Sequence, residues 1–206
     1  MRHALSWLAF CLGLGVAGIG AKASELDPGA VAMFREWSVS LPNPGRVIIC
    51  HGFSCTFRTE IVLTRADHAK LAELMEPGKA SAVAERSAIA RTEVWFEKRI
   101  APETGTANAK ARAGGILGYS RDRGQFDCID STLYTSSLLI LLDQLVLLRQ
   151  HGVAAPISRL FTGGGPHFTA VMRDRKTRQG WTVDPWTHNH AELPDVWPVE
   201  KWLAGG

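Results

Sequence analysis

Residues 138–148 are apolar at every position except Asp143 and Gln144. No helical phase gives that run a polar face, so a helix built from it belongs in the middle of a fold, with other elements on all sides. It is shorter than the ~18 apolar residues that a membrane span requires. The pattern predicts a central buried helix starting at Cys128 and running to about residue 150, with His151-Gly152 as a glycine stop.

The flanking chain supplies the layers. Downstream, residues 157–161, 167–173 and 181–184 read as strands, separated by Gly163-Gly164-Gly165-Pro166 and by the polar stretch 174–180. Upstream, residues 47–50 and 56–63 read as two short strands around a cysteine-containing turn. Thr64 with Asp67 three residues later marks a helix start, Pro77-Gly78 a stop, and a second helix is expected over residues 79–100. Residues 24–45, with Pro28, Pro42 and Pro44, read as irregular, and residues 101–115 as a mobile loop. Helices first and strands afterwards predict an α+β fold, with an antiparallel sheet against the central helix. A hydrophobic share of 46% against 21% charged residues is enough for one packed domain and excludes disorder over most of the chain.

The first 23 residues have a different character. Met1-Arg2-His3 is a short basic start, residues 4–20 are almost wholly apolar or small, and Ala21-Lys22-Ala23 has the small residues that a signal peptidase reads. Residues 1–23 are therefore expected to be a signal peptide cleaved after Ala23, the alternative being an uncleaved membrane anchor, and residues 24–206 a single exported domain, periplasmic or secreted. No later segment is long and apolar enough to span a membrane. The formal charge of +3 includes Arg2 and Lys22, so the rest of the chain carries only +1, with no electrostatic footprint for nucleic acid.

Export changes how the cysteines are read, because an oxidising compartment favours disulfides. Cys11 would leave with the signal segment, and Cys50, Cys55 and Cys128 would remain. In Cys50-His51-Gly52-Phe53-Ser54-Cys55 a turn at Gly52 brings the two ends within bridging distance, whereas an uninterrupted strand would hold them apart. A Cys50–Cys55 disulfide is expected, the alternative being two reduced thiols. Cys128 is then left as a cross-link or a reactive thiol.

Its surroundings favour reactivity. A cysteine in the first turn of a helix faces unpaired N–H groups and the positive end of the helix dipole, which favour the thiolate and can also stabilise an oxyanion. A thiolate enzyme needs a base and a group that orients the base. His167 opens one predicted strand and Asp184 ends the next, seventeen residues later, so the two can share a sheet face. Singly, each residue has a structural explanation: a buried inert thiol, a strand-end histidine, a turn-forming aspartate before Pro185. Together they predict a Cys128-His167-Asp184 unit acting on a carbonyl.

Three blocks carry a family resemblance. Gly124-Gln125-Phe126-Asp127-Cys128-Ile129-Asp130, Pro166-His167-Phe168-Thr169-Ala170-Val171 and Trp181-Thr182-Val183-Asp184-Pro185-Trp186 resemble transglutaminase-like proteins of the papain-like superfamily, especially the bacterial transglutaminase-like cysteine proteinases. The resemblance covers about residues 120–190. It implies a papain-like α+β core with Cys128 as nucleophile, His167 as general base and acid, and Asp184 as its orienter. It also implies a protein or peptide substrate for an amide-bond enzyme, a peptidase, amidase or transamidase. Residues 24–115 match nothing in that pattern and form an N-terminal elaboration.

Gln125 is a candidate oxyanion donor, or a turn glutamine. Some relatives of the bacterial proteinase group are calcium-dependent, and Asp127 and Asp130 stand in comparable places, although two carboxylates fall short of the six to eight oxygens of a calcium shell. No other cofactor is expected. A mixed zinc set of Cys50, His51, Cys55, His188 and His190 matches no common spacing, and the two later histidines are expected on a loop at the cleft rim. Trp181, Trp186, Trp197 and Trp202 read first as packing and second as an aromatic wall for an extended substrate. Two rivals remain: a cell-wall peptide hydrolase similar to the NlpC/P60 group, whose third polar residue is usually a histidine where this chain has Asp184, and a non-catalytic binding or scaffold module. Oligomeric state is not readable from the sequence.

Overall fold

The structure is a computed structural model and describes residues 26–114, 122–161 and 165–205. The expected signal peptide with its cleavage point after Ala23 lies outside the described residues, as does Cys11.

The chain is mixed α+β. Its elements run α1 (Pro28–Glu36), β1 (Arg46–His51), β2 (Phe57–Val62), α2 (Arg65–Met75), a 3-10 turn (Glu76–Ala80), α3 (Ala82–Thr104), α4 (Cys128–Gln144), β3 (His151–Phe161), β4 (Gly165–Asp174), β5 (Gly180–Val183) and α5 (Val199–Leu203). Helix α4 is the centre: every residue from Ile129 to Asp143 is buried. It packs on β4 and β3 of an antiparallel sheet ordered β3-β4-β5, and on β1 of the separate antiparallel β1-β2 hairpin. The all-round apolarity of the helix follows from having a sheet on each side.

Two cores meet at α4. The larger joins Val47, Ile61, Leu71, Ile89, Phe96 and Leu138 from the hairpin, α2, α3 and α4. The smaller gathers Phe34 of α1, the Cys50–Cys55 pair, and Ile129 and Leu133 of α4. Residues 26–114 are thus no appendage, since α1, β1 and α3 pack directly on the central helix.

Four sequence expectations are corrected. Residues 28–36 are helical: Asp27 caps the helix by accepting the Gly29 N–H at 2.8 Å, and Pro28 sits in the first turn, where its missing N–H costs nothing. Helix α3 continues past Pro102 to Thr104 and stops at Gly105, which takes the left-handed cap conformation. Helix α4 ends at Gln144, well before His151-Gly152. Leu145 caps the helix, Val146 turns left-handed, and Leu147 and Leu148 pack back against the core after the turn. Strand β3 begins at His151 and not at residue 157, because a register shift between Ala154 and Ile157 admits Pro156 within the strand.

The local signals elsewhere hold. Thr64 and Asp67 form the expected reciprocal capping box, and Asp67 also takes the Arg99 guanidinium at 2.8 Å, tying α2 to α3.

Candidate active site

Cys128 is the first residue of α4. Asp127 precedes it as N-cap, accepting the Asp130 N–H at 2.9 Å while Asp130 reaches back to the Asp127 N–H. The half-buried sulfur points at the Pro166 carbonyl, 3.7 Å away, and the Phe168 N–H also faces it. It therefore lies against the backbone on both sides of His167.

His167 and Asp184 are brought together by β4 and β5. Ala170 pairs with Val183, so the chain leaving β5 carries Asp184 back alongside His167. The His167 Nε2–H donates to Asp184 Oδ2 at 2.6 Å, with both side chains at most 2% exposed. The same oxygen accepts the Trp202 Nε1–H at 2.8 Å. The imidazole is flanked by Trp186 and Trp202, with ring centroids 4.5 and 5.2 Å away. Imidazole and carboxylate are thus paired, and the sulfur lies against the backbone of the residues that flank His167.

One electrostatic expectation does not hold. Burial pushes the Cys128 thiol up to about 11, and the Asp127 and Asp184 carboxylates act in the same direction against the N–H groups of Phe168 and of Cys128 itself. The helix start does favour the anion, but of its two acids, Asp127 at the cap and Asp130 at the third position, Asp127 opposes it.

Those acids have another task. Asp130 accepts the Phe53 and Cys55 N–H groups at 2.9 and 2.8 Å, and Asp127 Oδ2 accepts those of Ser54, N–H and hydroxyl, at 2.7 and 3.2 Å. The donors come from the turn that the sequence predicted, in which Cys50 and Cys55 are disulfide-bonded with Cα atoms 4.5 Å apart. Gly52, Phe53, Ser54 and Cys55 all have positive φ, between 51° and 78°. That conformation turns successive N–H groups toward one side, as in an anion-binding nest. A Cβ on Gly52 would lie 2.5 Å from the Phe57 ring, so only glycine fits there. Carboxylates surrounded by N–H donors do not suit a calcium ion, and Asp127 and Asp130 do not fit that role. Burial and the neighbouring Asp127 push Asp130 up to about 8, against its N–H partners.

Gln125 is committed elsewhere. Its Nε2 donates to the Asn108 carbonyl at 3.3 Å and its Oε1 accepts the Lys110 N–H at 2.8 Å, so the amide clamps the 106–110 segment and is not turned to the thiol. The mixed zinc set is not assembled: Cys50 and Cys55 are bridged, and both nitrogens of His51 are used, by the Arg123 carbonyl and the Thr59 hydroxyl, each at 2.8 Å. His188 and His190 line a small cleft beside Trp186, together with Glu97, Lys110, Ser131 and Tyr134.

Two features escaped the sequence reading. Glu93 and Glu97, one helical turn apart on α3, are buried against α4, where Thr135 donates to Glu93 at 2.7 Å and Tyr134 to Glu97 at 2.5 Å. Burial pushes Glu93 up to about 8. Their i, i+4 spacing on the face that carries Ile89 and Phe96 was the available signal. The second is Trp202, whose indole reaches Asp184 from a five-residue helix that no periodicity marks.

Among known proteins, no family, no curated protein and no solved structure matches the chain.

Proposed function

We propose that the chain is an exported thiol enzyme of the transglutaminase-like, papain-like kind that acts on an amide bond of a protein or peptide. The observation that carries this reading is the sulfur of Cys128 lying against the backbone around His167 while the ring's Nε2 is held at 2.6 Å by Asp184. A disulfide, and the absence of a helix long and apolar enough to cross a membrane among the described residues, are compatible with export.

The thiol rests protonated, so the nucleophile is made during attack. With Nε2 taken by Asp184, Nδ1 of His167 receives the proton as the S–C bond forms and the carbonyl electrons move to oxygen. The Cys128 N–H at the open helix start faces that developing charge, in place of the Gln125 amide. Collapse expels the amine, which takes the proton from His167. Water then attacks the thioester with the same imidazole as base, which makes the enzyme a peptidase or amidase. A second amine in place of water would make it a transamidase.

p-Nitrophenyl acetate tests the reading. The expected result is a burst of one nitrophenolate per chain with one acetyl group on Cys128 by intact mass, lost in Cys128→Ser and His167→Ala. A second reading, a non-catalytic binding module, draws on the thiol's rise to about 11. Acetylation of native Cys128 no faster than that of free cysteine favours it and overturns the enzyme.

A further inference from the structure

Asp184 Oδ2 receives two donors, His167 Nε2–H at 2.6 Å and Trp202 Nε1–H at 2.8 Å. Trp202 is fully buried, and its ring packs on the imidazole with centroids 5.2 Å apart. On β3, Arg159 stands opposite His167 in the strand register, lays its guanidinium 4.4 Å from the centre of the indole, and donates to the Trp202 carbonyl. The indole is thereby held between the imidazole and a cation, with its N–H on the carboxylate.

The chain reaches this position by a specific route. Asp184 and Asp195 exchange backbone hydrogen bonds at 2.9 and 3.1 Å, the Thr182 N–H donates to the Trp197 carbonyl, and Trp181 bridges Pro198. The segment 195–198 therefore runs as an extra rung beside β5, and α5 then turns Trp202 back under Asp184. A buried tryptophan needs a partner for its N–H, but the partner here is the one carboxylate that orients the proposed base.

We infer that Trp202 is a positioning residue for the proposed reaction: its N–H fixes the rotamer of Asp184 and, through it, the direction in which His167 meets the thiol. Arg159 serves it by locking the indole. The inference rests on the proposed roles of Cys128 and His167. A carboxylate released from this contact can turn or move toward water, and the imidazole loses its orientation.

The test is the rate at which iodoacetamide alkylates Cys128 in the native full-length chain, for Trp202→Phe, Asp184→Asn, both together, and His167→Ala. Trp202→Phe keeps an aromatic ring in the core and removes the N–H. It is expected to slow alkylation about tenfold at neutral pH, with a melting transition that stays cooperative. In the Asp184→Asn background the same substitution is expected to change the rate less than twofold, because the group it acts through is gone. Equal slowing in both backgrounds, or no slowing in the single variant while His167→Ala is slowed, overturns the inference. Should His167→Ala itself alkylate as fast as the parent, the failure lies with the proposed enzyme and takes this inference with it.

Discussion

At the scale of the residue, a buried acid decides how the chain responds to pH. Glu93 is 1% exposed, accepts one hydrogen bond from Thr135, and has its Oε2 without a hydrogen-bond partner, so burial holds it protonated up to about 8, against an ordinary 4.5. The folded state keeps a proton that the unfolded chain releases sooner. Stability from this group is full below the unfolded value and drains as the pH climbs through the folded one, by up to about 1.4 kcal/mol per unit between the two. Glu97, raised by burial, adds to the same slope. Glu93→Gln keeps an acceptor for Thr135 and removes the titration, so its melting temperature is expected to fall less than the parent's between pH 5 and 8. Parallel curves for the two proteins would show that Glu93 does not hold its proton. Glu85 behaves oppositely. Burial works against its charge, but His151 and the N–H groups of Arg149, Gln150 and His151 outweigh it and hold the carboxyl below its usual range. Glu85→Ala strands those donors between α3 and β3 and is expected to cost about 3–5 kcal/mol, read from urea unfolding.

At the scale of the element, the disulfide turn and the start of α4 form one unit. Backbone N–H groups of Phe53, Ser54 and Cys55 supply the countercharge for Asp127 and Asp130, and the two acids in turn cap the helix that presents the thiol. Three consecutive non-glycine residues in the left-handed region each carry a cost of about 1–2 kcal/mol, so the cross-link and the two carboxylates are what keep them there. Replacing both Cys50 and Cys55 by serine is expected to lower stability by up to about 3 kcal/mol, the upper bound for so small a loop. It should also increase amide exchange at residues 53–55 and in the first turn of α4. Exchange confined to the loop, with the helix start still protected, would show the two to be independent. Much of this unit was legible in the sequence: the Gly52 turn and the bridge follow from the spacing of the cysteines. That the same turn would hydrogen-bond Asp127 and Asp130 was not, since the pairing spans more than seventy residues and only the folded hairpin brings it about.

At the scale of the whole molecule, the sequence read well where one strong local rule acted alone. The apolar run announced a central helix, the Thr64 and Asp67 pair a helix start, and the order of the last strands a sheet that sets Asp184 beside His167. It misread places where two rules compete. Residues 28–36 read as irregular although Asp27 makes Pro28 a helix start, the first strand of the sheet reads as starting at 157 although a bulge admits Pro156 within it, and residues 145–148 read as helix although a left-handed Val146 breaks it. That Trp202 would reach Asp184, and that Thr135 and Tyr134 would bind the Glu93-Glu97 pair, was not legible because those partners lie on other elements and long-range pairing leaves no periodicity. All of these pieces converge on the surroundings of one sulfur. The most direct measurement is the pH dependence of Cys128 alkylation by iodoacetamide in the native protein and in His167→Ala. A working base predicts that the parent rate levels off well below the value near 11 to which burial raises the thiol, while the variant rate keeps rising with pH. A parent that itself climbs about tenfold per unit all the way to that value would be a thiol acting alone, and would contradict the assignment of His167.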